Sequence, residues 1–364
     1  MNFKELSLKE KIGQKFMFGV VSDNVDIIVD LIKNNYIGGV ILYKKNYSCF
    51  DEMISVIKRL KDANKNNKIP LFIAIDQEGG RVNRMPSEIN NIKNIYDLSK
   101  NNDSLVVNNA RITGNMLGNI GINMNFAPVM DIYDNDKSKV LYKRCFYGDV
   151  DDVCRLGMKY VNEISSKGVI PVLKHFPGHG ATAMDSHLFV PYLYDYKKIT
   201  DKHVLPFERL IMDKDNCVGV DAIMVNHMII RKLTDGDPAS ISKKFINEYI
   251  RDRYNYDGLV ITDEMNMLAR NIIYKFSYVR KMFSSGSDIM LVKIKSKKEA
   301  IKLINKYIGY VNENETYIKM LDDSVKRIIN VKEKYNINDN IDKINLDIDD
   351  INLEIDSINN CINK

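Results

Sequence analysis

Three of the five histidines in this 364-residue chain fall within one stretch, KHFPGHGATAMDSH, from Lys174 to His187. Lys174, His175, His179, Asp185 and His187 bring an amine, three imidazoles and a carboxylate close together in sequence. Such a set suits a metal, a proton shuttle or a satisfied core. For a metal, His175 and His179 straddle Pro177 and Gly178 instead of standing one helical turn apart, and no thiolate joins them. Neither a metal site nor a cofactor is expected.

Further polar residues each follow a short apolar run. They are Asp76 in IDQEGGRVNR with Arg81 and Arg84 beyond it, Asp131 in NFAPVMDI, Asn226 and His227, and Asp263 with Glu264 in ITDEMNM. A single Asp or Lys in that position is ordinarily a cap or a solvated loop residue. Several gathered at one rim are costly to bury unless they pair or hold a ligand, which points to a polar-ligand pocket.

The apolar runs are the elements that would position these groups. Eight begin near Phe16, Gly39, Leu71, Ile122, Val169, Ala222, Leu259 and Asp288, separated by segments with three-to-four-residue apolar spacing such as DEMISVIKRLKDA. Continuous apolar strands alternating with helices predict an α/β fold with a parallel sheet, and eight repeats predict a closed (β/α)8 TIM-type barrel forming one domain over residues 1–335. In such a barrel the loops after the strands build the site, where the polar residues above are placed. No GxGxxG or Walker sequence supports an open nucleotide-binding sheet.

Residues 336–364 form a tail in which Ile344, Ile348, Ile351, Ile355, Ile358 and Ile362 follow steps of three and four, a heptad seam. The residues between are largely Asn and Asp, poor helix formers, so the seam needs a packing partner. It either lies across the barrel or self-associates as a coiled coil over 341–362.

Composition narrows the function classes. Hydrophobic residues at 45% and charged ones at 28% describe a soluble globular protein. Lys+Arg (53) and Asp+Glu (48) are interspersed, for a net charge of +5, without the basic run that nucleic acid requires. The opening MNFKELSLKEKIGQKFMFGV scatters charge through its apolar residues, which predicts neither a signal peptide nor a membrane span and hence a cytoplasmic protein. Cys49, Cys145, Cys154, Cys217 and Cys361 form no CxxC pair and read as free thiols.

The stretches LSLKEKIGQKFMFG, GGVILYKKN, AIDQEGGRVNR, GINMNFAPVMD, KHFPGHG followed by DSH, LPFERLI and GLVITDEMNM resemble glycoside hydrolase family 3, specifically its single-domain β-N-acetylglucosaminidases. The resemblance implies that Asp263 is the nucleophile of a retaining glycosidase and that His187, oriented by Asp185, is its acid/base. It also implies that Asp76, Arg84, Arg144, Lys174 and His175 contact the sugar. A carboxylate at a strand end is rigidly aimed, and an imidazole held by an aspartate both gives and takes a proton near neutrality. The loop carrying His187 is rich in small residues and is expected to close over bound sugar. Glu264, facing away from its neighbour by strand alternation, is expected to support the site, His179 to brace its loop, His227 to lie at the rim and His203 at the surface.

One stretch departs from the family. Its RSFG, with a glycine a few residues earlier, reads LYKRCFYGD here, so Arg144 and Phe146 remain while Cys145 and Tyr147 replace smaller residues and are expected to narrow that side of the pocket. The implied function is removal of terminal GlcNAc from muropeptide-like fragments in cell-wall recycling, with a carbohydrate as the only partner beyond any self-association. The competing readings are a β-glucosidase, a phosphorylase of the same family and a catalytically silent sugar-binding barrel. Family β-glucosidases take their acid from a second domain and often carry a Trp after the nucleophile, whereas this chain has no Trp and offers His187 from within the barrel.

Overall fold

The computed structural model describes residues 2–20, 24–134, 139–182, 190–267, 276–342 and 344–362. Each of the eight apolar runs contains a strand: β1 (Phe16–Val20), β2 (Gly39–Leu42), β3 (Phe72–Ile75), β4 (Met124–Asn125), β5 (Ile170–Pro171 continuing as Leu173–Phe176), β6 (Ala222–Val225), β7 (Leu259–Thr262) and β8 (Met290–Ile294). Every pairing between them is parallel, and β8 pairs with β1. The remaining gap, β7 to β8, is bridged where Asp288 N–H donates to Val260 O at 2.7 Å and Thr262 N–H to Ile289 O at 3.0 Å. The circuit therefore returns to its start, as a (β/α)8 barrel requires.

Alternation along the strands divides the apolar residues into two cores. Met17, Ile41, Phe72, Ala74, Met124, Phe126, Ile170, Val172, Met224, Ile261 and Leu291 fill the interior. Phe16, Phe18, Val40, Ile73, Val225 and Val260 face the outer helices. At β4 two asparagines stand in for missing ladder bonds. Asn123 accepts from Ile73 N–H and donates to Leu71 O, both at 2.9 Å, while Asn125 accepts from Gln77 N–H and donates to Gln77 O. They fix the chain leaving β3, which carries Asp76. The opposite end of the barrel is closed by helix Glu315–Lys334, whose Ile328 and Val331 join the interior core.

The tail forms helix Ile348–Cys361 and lies along helix Asp103–Asn119, with Ile351, Ile355 and Ile358 buried. Its seam is therefore covered by the chain's own barrel, the first of the two alternatives, and self-association over 341–362 is not shown. The asparagines between the isoleucines bond to a site loop: Asn352 Nδ2 donates to Glu88 O at 2.8 Å, Asn359 Nδ2 to Asn91 O at 3.0 Å, and Lys93 N–H donates to Asn359 Oδ1 at 2.9 Å. No helix among the described residues is long and apolar enough to cross a membrane.

Candidate active site

A cavity of about 720 Å³ opens at the C-terminal ends of the strands. Its lining includes Asp76 and Glu78 after β3, Lys174 and His175 on β5, His179 beyond it, and Asp263 with Glu264 after β7. Arg84 and Arg144 line it as well. Asp76, Arg84, Arg144, Lys174, His175 and Asp263, scattered over much of the sequence, thus share one pocket. Asp185 and His187, together with the expected movement of their loop, lie outside the described residues.

Lys174 is held between two carboxylates, 2.8 Å from Asp76 Oδ1 and 2.6 Å from Glu78 Oε1. Glu78 also takes the guanidinium of Arg144 in a two-pronged grip, accepting from Nε at 2.8 Å and from Nη2 at 2.7 Å. Burial would raise the Glu78 carboxyl, but Arg144 and Lys174 outweigh it and hold the group well below the usual carboxylate range. Arg84 completes the row more loosely, its Nη2 3.9 Å from Asp76 Oδ2. Arg144 is therefore committed to Glu78, a group not singled out from the sequence.

His175 is fixed by Asp131, which is fully buried. Asp131 Oδ2 lies 2.7 Å from His175 Nδ1 and accepts the His175 backbone N–H at 3.2 Å, while Oδ1 accepts the His179 N–H at 2.6 Å. One carboxylate thus orients an imidazole and ties down the PGHG turn. Burial opposes ionisation of Asp131, and the two histidines prevail and lower its pKa.

Two glycines let this turn seat closely. Gly178 has φ +125°, and a Cβ there would meet His203, while one on Gly180 would fall 2.0 Å from Ile132 O. His203, expected at the surface, is consequently 3% exposed beneath the turn, and burial lowers its pKa. The expectation for His179 holds for its backbone only: its ring lines the pocket with neither nitrogen bonded among the described residues. Burial lowers its pKa, leaving a neutral ring at neutral pH.

Asp263 follows β7, its N–H donating to Val225 O at 2.9 Å and its Oδ1 accepting the Glu264 N–H at 2.7 Å. Burial pushes this carboxyl up, yet His175, His227, the Glu264 N–H and Lys174 together bring it below its ordinary value. It is ionised at neutral pH. Glu264 was expected to face away but also lines the pocket, 3.9 Å from Lys293 Nζ, because strand alternation ends at Thr262. His227 is spent behind the rim, bonded to Ser240 Oγ at 2.6 Å and to Glu264 O at 3.0 Å. The pocket presents an aimed, ionised carboxylate opposite fixed donors and acceptors, the arrangement a polyhydroxylated ring needs.

Comparison with known proteins supplies a context. The family model described as the glycosyl hydrolase family 3 N terminal domain matches residues 7–331. A protein named beta-hexosaminidase A from Pseudoalteromonas piscicida is 32% identical over 330 residues, covering 84% of this chain and 54% of the relative, so the chain spans about half of that protein. A beta-hexosaminidase from Psychromonas ingrahamii is 27% identical over 80% of this chain and 91% of its own length. Among solved structures, a glycoside hydrolase family 3 beta-N-acetylglucosaminidase from Paenibacillus sp. str. FPU-7 superposes with a TM-score of 0.85 at 28% identity, covering 98% of this chain and 69% of the other.

Proposed function

We propose a function from one premise: this chain belongs to glycosyl hydrolase family 3. On that premise it is a retaining exo-acting β-N-acetylglucosaminidase. The Asp263 carboxylate forms a bond to the anomeric carbon as the glycosidic C–O bond breaks, and the leaving oxygen takes a proton from His187. His187 then removes a proton from water, which displaces Asp263 and releases the sugar. Asp185 orients His187. Asp76, Lys174, His175, Arg84 and Arg144 hold the ring, the first three as direct partners of its hydroxyls and the arginines as flanking donors. Residues 1–335 are the catalytic barrel and 336–364 a brace. The substrate in the cell is terminal GlcNAc on muropeptide-like fragments, met in the cytoplasm during wall recycling.

The observation that carries this reading is the state of Asp263: ionised, at a strand end, facing the pocket, and bonded only to a backbone N–H among the described residues. The test is release of 4-nitrophenol from β-GlcNAc and β-glucose glycosides by wild type and Asp263→Asn, with and without phosphate. Turnover selective for GlcNAc, independent of phosphate and abolished in Asp263→Asn, is expected. Preference for glucose, acceleration by phosphate, or binding of GlcNAc without turnover would each move the assignment to one of the competing readings.

A further inference from the structure

The pocket rim continues outward into a band of tyrosines that the site above does not use. Lys139 and Val140 line the pocket, and the chain runs from them into Tyr142. The Tyr142 ring centroid lies 6.4 Å from that of Tyr133, Tyr133 lies 6.5 Å from Tyr96, and Tyr96 lies 5.3 Å from Tyr147. The band's outer members are open to solvent, Tyr142 at 53% and Tyr147 at 44%.

The backbone beneath these rings is held firmly. Arg81 Nη2 and Arg144 Nη1 both donate to Val140 O, the latter at 3.1 Å. Lys143 Nζ donates to Asp97 Oδ2 at 3.0 Å, and Tyr147 N–H donates to Ser99 Oγ at 2.8 Å. Lys143 adopts φ +58°, a left-handed conformation uncommon for a lysine. An aromatic surface displayed on a fixed backbone and edged by Lys100, Lys143 and Asp97 is preorganised for binding. Tyr147 is, moreover, one of the residues by which this chain departs from the family pattern.

We propose that this band is a binding platform for the sugar rings on the leaving-group side of a β-linked N-acetylglucosamine oligosaccharide whose terminal residue occupies the pocket. The inference rests on the glycosidase reading of that pocket. A β-linked pyranose keeps its hydroxyls at the ring edge and presents C–H faces that lie against an aromatic ring's electron-rich face. The edge hydroxyls then meet Lys143, Asp97 and Lys100. Continuity with the pocket selects this occupant: an exo-acting enzyme has further sugars on the leaving side alone, and the backbone lining the pocket at Lys139 and Val140 runs directly into Tyr142.

The test compares kcat/KM for N-acetylchito-oligosaccharides of two to four sugars with that for 4-nitrophenyl β-GlcNAc. The proteins are wild type, the Tyr142→Ala/Tyr147→Ala double variant and the corresponding double Phe variant. Wild type is expected to gain about tenfold from disaccharide to tetrasaccharide, about 1.4 kcal/mol. The double Ala variant is expected to lose that gain through KM while keeping aryl glycoside turnover within about twofold, and the Phe variant to retain it. A flat length dependence in wild type, or an equal loss on every substrate in the Ala variant, overturns the platform. If wild type cleaves no β-GlcNAc substrate, the glycosidase reading fails by itself. Calorimetric binding of the tetrasaccharide still decides the platform in that case: weaker binding to the Ala variant supports it, and unchanged binding overturns it.

Discussion

Replacing Glu78 by Gln is the most exacting test of how the pocket is held together. The Glu78 side chain is 4% exposed and stands between Lys174, at 2%, and Arg144, at 13%. Gln keeps the shape but has one acceptor oxygen, so its NH2 must face either Arg144 Nε, or Arg144 Nη2 together with Lys174 Nζ, which share the position of Glu78 Oε1. Lys174 retains Asp76, whereas Arg144 keeps only Val140 O besides half of the fork. Removing one partner of a buried ion pair costs about 3–5 kcal/mol, which for a chain of this size lowers Tm by about 4–7 °C. Because both cations shift within the pocket, kcat/KM should fall about 100-fold, the scale of a misplaced positioning group. A thermal melt and 4-nitrophenol release from the β-GlcNAc glycoside report the two effects. The wild-type contribution should also fade in acid. A carboxyl held below its ordinary value stabilises fully above about pH 4.3, and that stabilisation is lost as the pH falls further. A Glu78→Gln enzyme that melts within 1 °C of wild type (about 1 kcal/mol or less) and retains its kcat/KM would refute this account.

Two further outcomes concern the frame around the pocket. Lys15 and Lys332 are buried amines whose pKa values burial lowers to about 7. Below that pH both folded and unfolded chains carry the charge. Between about 7 and 10 only the unfolded chain keeps it, so stability should rise with pH over this window, and Lys332→Met should flatten part of the rise in urea midpoints. Lys332 suits this test because its Nζ bonds only to neutral oxygens, Gln14 Oε1 at 2.8 Å, Gly38 O at 3.0 Å and Pro70 O at 2.6 Å. In the tail, Ile355→Ala should cost about 2–5 kcal/mol as a cavity beside helix Asp103–Asn119, without change in molar mass by light scattering. A dimer that dissociates in the variant would restore self-association as the seam's role.

How far the sequence carried this structure depends on whether a feature is local. The eight strands were legible because continuous apolar runs between helical patterns have few other uses, and Asp76, Lys174 and Asp263 were legible because each follows such a run directly. Glu78 was not, since DQEGG reads as a turn. The available signal was the charge count around it, where Lys174, Arg84 and Arg144 leave Asp76 outnumbered. Glu264 was misplaced because the two-residue period holds only while the strand lasts. His203 was misplaced because its burial depends on Gly178 and Gly180 seating a distant turn over it. The tail shows the same division. A stripe of isoleucines says that something must cover it, but not that the cover is helix Asp103–Asn119, nor that its asparagines would bond a loop beside the pocket.

The division of labour among the pocket carboxylates follows from their partners. Asp131 is used up by His175 and His179, Glu78 by Arg144 and Lys174, and Asp76 is shared between Lys174 and a looser arginine. Each is an acceptor whose lone pairs already serve fixed cations or N–H groups, which makes it a poor nucleophile and a good support. Asp263 differs in kind. The cations around it favour its ionised form from a distance, and its bonded partner among the described residues is a single backbone N–H, so one face of the carboxylate is left for an incoming carbon. Spending Asp131, Glu78 and Asp76 on positioning holds the donors still while Asp263 keeps a face toward the pocket. On the proposed function, disturbing Glu78 should therefore slow the reaction without touching Asp263 itself.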